Sequence, residues 1–315
     1  MSNDAPLVAG EVATLSPLVR RILAPNPSVM TGQGTNTYLV GAVEGDGPLA
    51  VIDPGPDDES HLDAIVEAGA GRIKWILVTH THHDHWPGAA PLAARTGAEV
   101  LAFQARDGLE IDRRLIDGGR VVGEDFTLRA LHTSGHAANH LCFLLEQERL
   151  LFTGDQVMHG STVVLWPPDG DVRLYRASLE RLLSHEPPLR ALAPAHGHLF
   201  HSPAPVIHAI IDHRDGREAR IVEALLALDG GPVTVDELLG GVYDDIEPGR
   251  LPIARGSLWA HLRKLVDDGR ATTTGYDDLD GGRWTLTDDE NSSGSATGDA
   301  TDAPPQVTET EADEA

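Results

Sequence analysis

Cysteine is nearly absent. Cys142 is the only one, so no internal disulfide can form. Its setting, Leu141-Cys142-Phe143-Leu144-Leu145, reads as a strand and places the thiol in a core rather than in a nucleophile's position. Lysine is almost missing as well: Lys74 and Lys264 stand alone, and the other basic side chains are arginine. Acids outnumber bases, 49 against 24, for a formal net charge of −25. Such a surface repels polyphosphates at long range and argues against a broad basic nucleic-acid groove, though not against a local arginine patch. No apolar run approaches the ~18 residues of a membrane helix. Met1-Ser2-Asn3-Asp4-Ala5-Pro6 lacks the basic and apolar stretches of a secretory leader. A cytoplasmic protein with no membrane partner is expected.

Histidine, by contrast, is concentrated. His80-Thr81-His82-His83-Asp84-His85 follows Lys74–Thr79, a short apolar, β-branched run that reads as a buried strand. Four potential metal ligands thus sit at one strand end, and imidazole with carboxylate suits zinc, iron or manganese better than magnesium or calcium. Alternate residues of an extended segment point the same way, so His80 and His82 can grip one ion while Asp84 and His85 face a second. Three further strand-like runs end in polar loops: 126–131 before His132-Thr133-Ser134-Gly135-His136, 150–153 before Gly154-Asp155, and 189–193 before Pro194-Ala195-His196-Gly197-His198. Ligands from several strand ends can converge on one rim. Asp53, at the end of the strand-like run 49–52, is read either as a support near the metals or as a turn former.

Strands at 35–40, 49–52, 74–79, 100–103, 126–131, 141–145, 150–153 and 189–193 interleave with helices at 58–69, 89–96, 173–184 and 203–229, which gives an α/β fold class. Residues 1–30 are Pro-rich and receive no strand. The Gly231-Pro232 break opens a second unit, with a helix from Val233, an amphipathic helix over 257–268 and a hairpin through 269–273 and 282–286. Helix, helix, hairpin is winged-helix order. The divisions are therefore 1–229 for the metal-bearing domain, 230–287 for the winged-helix-like domain, and 288–315 for a disordered acidic tail with nine acids and no base.

The motifs His80-x-His82-x-Asp84-His85, Ser134-Gly135-His136, Thr153-Gly154-Asp155 and Ala195-His196-Gly197 resemble those of the metallo-β-lactamase superfamily, in its order. The resemblance implies an αββα sandwich with two metal ions, expected to be zinc, at its edge. It assigns His80, His82 and His136 to one ion, Asp84, His85 and His196 to the other, and Asp155 to a bridge between them. Gly34–Gly41, Pro167-Pro168-Asp169-Gly170-Asp171, His213-Arg214 with Arg217-Glu218, and the winged-helix-like end look most like a subfamily that includes a single-strand-specific mitochondrial endoribonuclease.

Two such cations would lower the pKa of a shared water, and the bridging hydroxide is the expected nucleophile. Asp84 is the expected catalytic residue, orienting that water or taking its proton. His140 or His198 is a candidate proton donor or oxyanion contact. The substrate expectation divides between single-stranded RNA and a small ester or thioester of glyoxalase II type; no Lys/Arg cluster for glutathione carboxylates is visible. An iron persulfide dioxygenase of the same fold leaves part of the second site unused, whereas every second-site ligand is present here. Duplex DNA is not an expected partner, because the helix over 257–268 sets Asp267 and Asp268 beside Arg263 and Lys264. The second unit is expected to pack on the metal domain and shape its cleft, or to form a homodimer.

Overall fold

The structure is a computed structural model and describes residues 6–288. The expected acidic tail, apart from Asp288, lies outside the described residues. Seven strands form the first sheet in sequential order: β1 (Val12–Ser16), β2 (Val19–Leu23), β3 (Asn36–Val40), β4 (Leu49–Ile52), β5 (Ile73–Leu77), β6 (Glu99–Ala102) and β7 (Arg113–Arg114). The second sheet runs β12-β11-β10-β9-β8, from β8 (Arg120–Val122), β9 (Thr127–His132), β10 (Leu141–Leu145), β11 (Leu150–Gly154) and β12 (Ala191–Pro194).

The central strands are apolar because both their faces are covered. Tyr38, Ile52, Leu77 and Leu101 of the first sheet meet Leu128, Phe143, Phe152 and Ala193 of the second in one core. The outer face of the first sheet packs against α1 (Glu59–Gly69) and α2 (Ala89–Thr96) through Leu62, Ile65 and Leu92. The outer face of the second packs against α3 (Val172–Leu183) and α4 (Pro203–Leu226) through Tyr175, Leu179 and Ile207. The layers are αββα, as expected.

A second unit follows. It consists of α5 (Val235–Val242), α6 (Leu251–Asp267) and the hairpin β13 (Ala271–Thr273) to β14 (Trp284–Leu286). This is the winged-helix arrangement. Its core includes Ile221 and Leu225, so the C-terminal part of α4 is shared with it. No described helix is long and apolar enough to cross a membrane.

Several elements differ from the sequence reading, among them the short strands β7 and β8, which it did not expect. Residues 12–23 form a hairpin, where no strand was expected. Its Arg20 is nonetheless 8% exposed and donates to the Ala68 carbonyl, so a charged residue occupies an inward strand position. Helix α6 begins at Leu251, six residues before the expected start at 257. Pro252 sits in its first turn, where a missing N–H costs nothing.

Strand direction positions the site. β4 and β5 are parallel, β11 and β12 are parallel, and β9 runs with β11 because both are antiparallel to β10. Bonds between the sheets stitch this edge: Asn36 N–H donates to the Ala195 carbonyl at 2.7 Å, and Leu141 N–H to the Thr79 carbonyl at 2.8 Å.

Candidate metal centre

All seven histidines and aspartates expected as ligands come together at that edge. His80, His82, His136 and Asp155 form one group of mutually close donor atoms, and Asp84, His85 and His196 form another. His82 Nδ1 lies 2.9 Å from both His80 Nε2 and His136 Nε2, and those two lie 3.3 Å apart. Ligand nitrogens about 2.0–2.1 Å from a tetrahedral zinc would stand about 3.3 Å apart, so this spacing fits one ion.

The outer ring nitrogens explain why lone pairs converge. His136 Nδ1–H donates to the Val164 carbonyl at 2.8 Å, and His196 Nδ1–H to the Gly34 carbonyl at 3.1 Å. His85 Nδ1–H donates to Asp53 Oδ2 at 2.9 Å. Thr79 Oγ1–H donates to the same carboxylate at 2.8 Å, which leaves the hydroxyl oxygen to accept from His80 Nδ1–H at 3.0 Å. A proton held on Nδ1 leaves Nε2 as a donor for a metal. Asp53 is therefore a support for two of the histidines, resolving the alternative the sequence left open.

Asp155 faces both groups. Its Oδ1 is 3.2 Å from His196 Nε2 and 3.6 Å from His85 Nε2, while Oδ2 is 3.5 Å from His136 Nε2. Asp84 Oδ2 lies 3.4 Å from His85 Nε2 and 3.2 Å from His196 Nε2. His85 Nε2 and Asp155 Oδ1 are enclosed without a hydrogen-bond partner. Buried polar atoms in that state are costly, and a divalent ion satisfies both. The donor set fits a divalent transition metal.

Electrostatics divide the groups. Burial, joined by the neighbouring imidazoles, pushes His80 well below the usual histidine range. Burial likewise lowers His82, and takes His136 down to about 4. Burial also opposes charge on His196, but Asp155 and Asp84 outweigh it and lift this ring to about 10. His85 rises for the same reason, through Asp84, Asp155 and Asp53. One group is a set of neutral donors, and the other is a network of cation and carboxylate.

Of the two candidate proton donors, His140 has other work. His140 is fully buried; its Nε2 accepts the Asp155 backbone N–H at 3.1 Å and its Nδ1–H donates to Thr133 Oγ1 at 3.0 Å. With both nitrogens engaged it positions Asp155 and has no proton to deliver to a substrate. His198 packs against His159, ring centres 5.3 Å apart. Cys142 lies in the core as expected, and burial pushes its thiol up to about 12.

A cavity of about 500 Å³ opens beside the cluster, and His82, Asp84, His136 and Asp155 are part of its lining. Its walls are mainly apolar, from Val29, Met30, Val163 and Trp166 of the metal domain and Ile246 and Ile253 of the winged helix. The sequence reading saw no cationic cluster, yet Arg214, Arg217 and Arg250 all line this cavity. They lie in α4 and just before α6, far in sequence from the ligands. Only the His213-Arg214 and Arg217-Glu218 stretch hinted at them. Arg250, at the N-cap of α6, and Ile253, Ala254 and Ser257 of the helix itself line the cavity. Arg263 pairs with Asp277, and Lys264 with Glu218 and Asp268.

Known proteins share this arrangement. Residues 30–196 match the metallo-beta-lactamase superfamily, and residues 234–284 match the beta-lactamase associated winged helix domain. The chain is 34% identical over 279 residues to the lactamase-like protein adaB of Aspergillus niger, covering 82% of this chain and 83% of that protein. It is 31% identical over 277 residues to the atrochrysone carboxyl ACP thioesterase dmxR1 of Cryptosporiopsis sp. (strain 8999), covering 82% and 83%. Among solved structures, a beta-lactamase domain protein from Burkholderia ambifaria matches with a TM-score of 0.72 at 21% identity, covering 91% of this chain and 96% of that one. The shared length runs through the ligand loops and on into the winged helix, and by it the chain belongs to the metallo-beta-lactamase superfamily, as a hydrolase of that fold.

Proposed function

We propose that this protein is a dinuclear zinc-dependent thioester hydrolase acting on a small acyl substrate. One observation carries the reading: four of the metal-cluster residues line a half-open, mainly apolar cavity walled by both domains. Such a cavity suits an acyl group and excludes water around it. The thioesterase relative supports the same class.

In this reading His80, His82 and His136 would hold one zinc, Asp84, His85 and His196 the other, with Asp155 serving both. Bound there, zinc would supply a water of lowered pKa and polarise a thioester carbonyl. Asp84 is the catalytic residue. Its Oδ2 faces His85 and His196, which leaves Oδ1 to accept a hydrogen bond from the attacking water and aim it. The water oxygen bonds to the carbonyl carbon, the C–S bond breaks, and the thiol leaves with a proton. The winged helix is a wall of the substrate site, since Ile253, Ala254 and Ser257 of α6 line the cavity. A cytoplasmic location belongs to the same proposal.

Single-stranded RNA is the competing substrate. The motifs of the sequence suggested it, but the relatives matched over this length are lactamase-like proteins and an ACP thioesterase rather than an endoribonuclease, and the apolar walls and the net charge of −25 weigh against a polyanion. The test compares acyl N-acetylcysteamine thioesters with a labelled single-stranded RNA, using zinc-loaded wild type and Asp84→Ala. Thioester cleavage by wild type alone supports the proposal. RNA cleavage by wild type alone overturns it.

A further inference from the structure

Arg214 is the group that the proposed chemistry leaves unused. It is 7% exposed and stands on α4 in the wall of the metal-site cavity. Its Nη2 donates to the Val163 carbonyl. Its Nε is enclosed without a partner, and Nη1 has no hydrogen-bond acceptor among the described residues. The guanidinium carbon lies 5.5 Å from the Tyr175 ring centre. No ion pair reaches it among the described residues. A buried cation without a counter-ion is expensive.

The neighbours differ. Arg217 is equally buried but is held by Asp245, with both nitrogens at 3.0 Å, and lies over the Tyr243 ring at 4.2 Å. Its charge is cancelled. Arg250 is exposed and sits at the start of α6. Arg20 is also buried without an acid, but it binds the Ala68 carbonyl near the C-terminal end of α1, where cations are favoured, and lines no cavity described here. Arg214 thus leaves one uncompensated positive charge in the wall of a cavity that the metal cluster also lines.

We infer that Arg214 is an anion subsite that takes a carboxylate on the acyl part of the substrate, so that the substrate is an acid-bearing thioester. A single unpaired guanidinium matches a monoanionic, planar carboxylate, which it can hold through two nitrogens. Tyr243 and Ser257 line the same cavity and offer hydroxyls for the remaining lone pairs. The inference rests on the proposed thioesterase reading for its substrate, but the subsite can be tested without turnover.

The test uses the zinc-loaded full chain and calorimetry with succinate, glutarate and adipate, each against its monoamide. Acid and monoamide offer the same single carboxylate to the metals; only the diacid has another for Arg214. The best diacid should bind wild type about ten- to hundredfold tighter than its monoamide. Arg214→Gln should abolish that preference, and Arg214→Lys should keep part of it. Equal binding of acid and monoamide to wild type overturns the subsite, whatever Arg214→Gln does to folding. A preference that survives in a folded Arg214→Gln overturns it too, and leaves Arg214 as a prop between α4 and Val163. In kinetics, glutaryl should exceed pentanoyl N-acetylcysteamine thioester in kcat/KM, with Arg214→Gln lowering only the former. Diacid preference without cleavage of any thioester supports the subsite and defeats the thioesterase reading.

Discussion

Asp53 Oδ2 accepts from His85 Nδ1 at 2.9 Å and from Thr79 Oγ1 at 2.8 Å, so one buried carboxylate fixes the protonation of a histidine in each half of the metal cluster. Asp53 sits in the left-handed region at φ 49, which Asp and Asn tolerate better than most residues. Asp53→Asn therefore keeps the backbone and removes the charge. Zinc affinity should fall about 10- to 100-fold, measured by competition with a chromophoric chelator. Unchanged affinity would mean that the His85 ring is held by packing alone.

Asp155 is the one ligand placed between both groups. Asp155→Ala should strip zinc from both positions and abolish hydrolysis, read by metal analysis after dialysis. Retention of two zinc ions per chain would sink the bridging assignment. Retention of one would show that its carboxylate serves a single ion.

The two metal positions should load differently with pH. His80, His82 and His136 are held neutral, whereas His85 and His196 are held protonated by their carboxylates. An ion entering the first position displaces no proton from its histidines. An ion entering the second must displace two, so its binding weakens as pH falls. Zinc titrations at pH 7 in buffers of different ionisation enthalpy should show buffer-dependent heat for the second equivalent only. Its affinity should drop by up to about a hundredfold per pH unit, the limit for two displaced protons. Equal proton release at both positions would contradict the division.

The ligands were legible because they crowd into four short motifs, each behind a strand with a strong apolar signal, continuous in β11 and alternating in β9. The hairpin at 12–23 was not, because Arg20 and Arg21 interrupt its apolar pattern; only the fold supplies the Ala68 carbonyl that lets Arg20 turn inward. The start of α6 was missed; Pro252 and Gly256 are poor formers of a helix interior, but Pro252 falls in the first turn, where it is tolerated. Arg214 is a plain helix residue until α4 is docked against the loop that carries Val163. What escapes a linear reading here is the polar chemistry completed by distant backbone carbonyls.

Gly135 precedes His136 at φ +127, and a Cβ there would lie 2.1 Å from the Tyr175 backbone nitrogen. That neighbour is main chain at the start of α3 and cannot swing aside. Gly135→Ala should cost at least about 2 kcal/mol by strain and clash and should displace His136 from its two partner histidines. The expected readings are a lower melting temperature and loss of the first-position zinc. Full zinc occupancy with only a stability loss would show that the His136 loop adjusts independently of α3.

Glu218 joins the two domains electrostatically. It stands on α4 with 12% side-chain exposure and binds Lys264 of α6 at 2.8 Å and Arg270, beyond α6, at 2.9 Å. Burial works to raise its pKa, but the contacts with His261 and Lys264 prevail and lower it to about 2. A depressed carboxylate contributes stability above its unfolded value, near 4.5, and loses it as pH falls toward 2. Glu218→Gln should therefore be less stable than wild type at pH 6, by the ~1.5–3 kcal/mol typical of charged hydrogen bonds, and melt at a lower temperature. The gap should close as pH drops from 4.5 toward 2, because wild type alone loses the charge. Melting curves for both proteins across that range decide it. A constant gap would mean that Glu218 acts by shape, and that the α4–α6 junction does not depend on its charge.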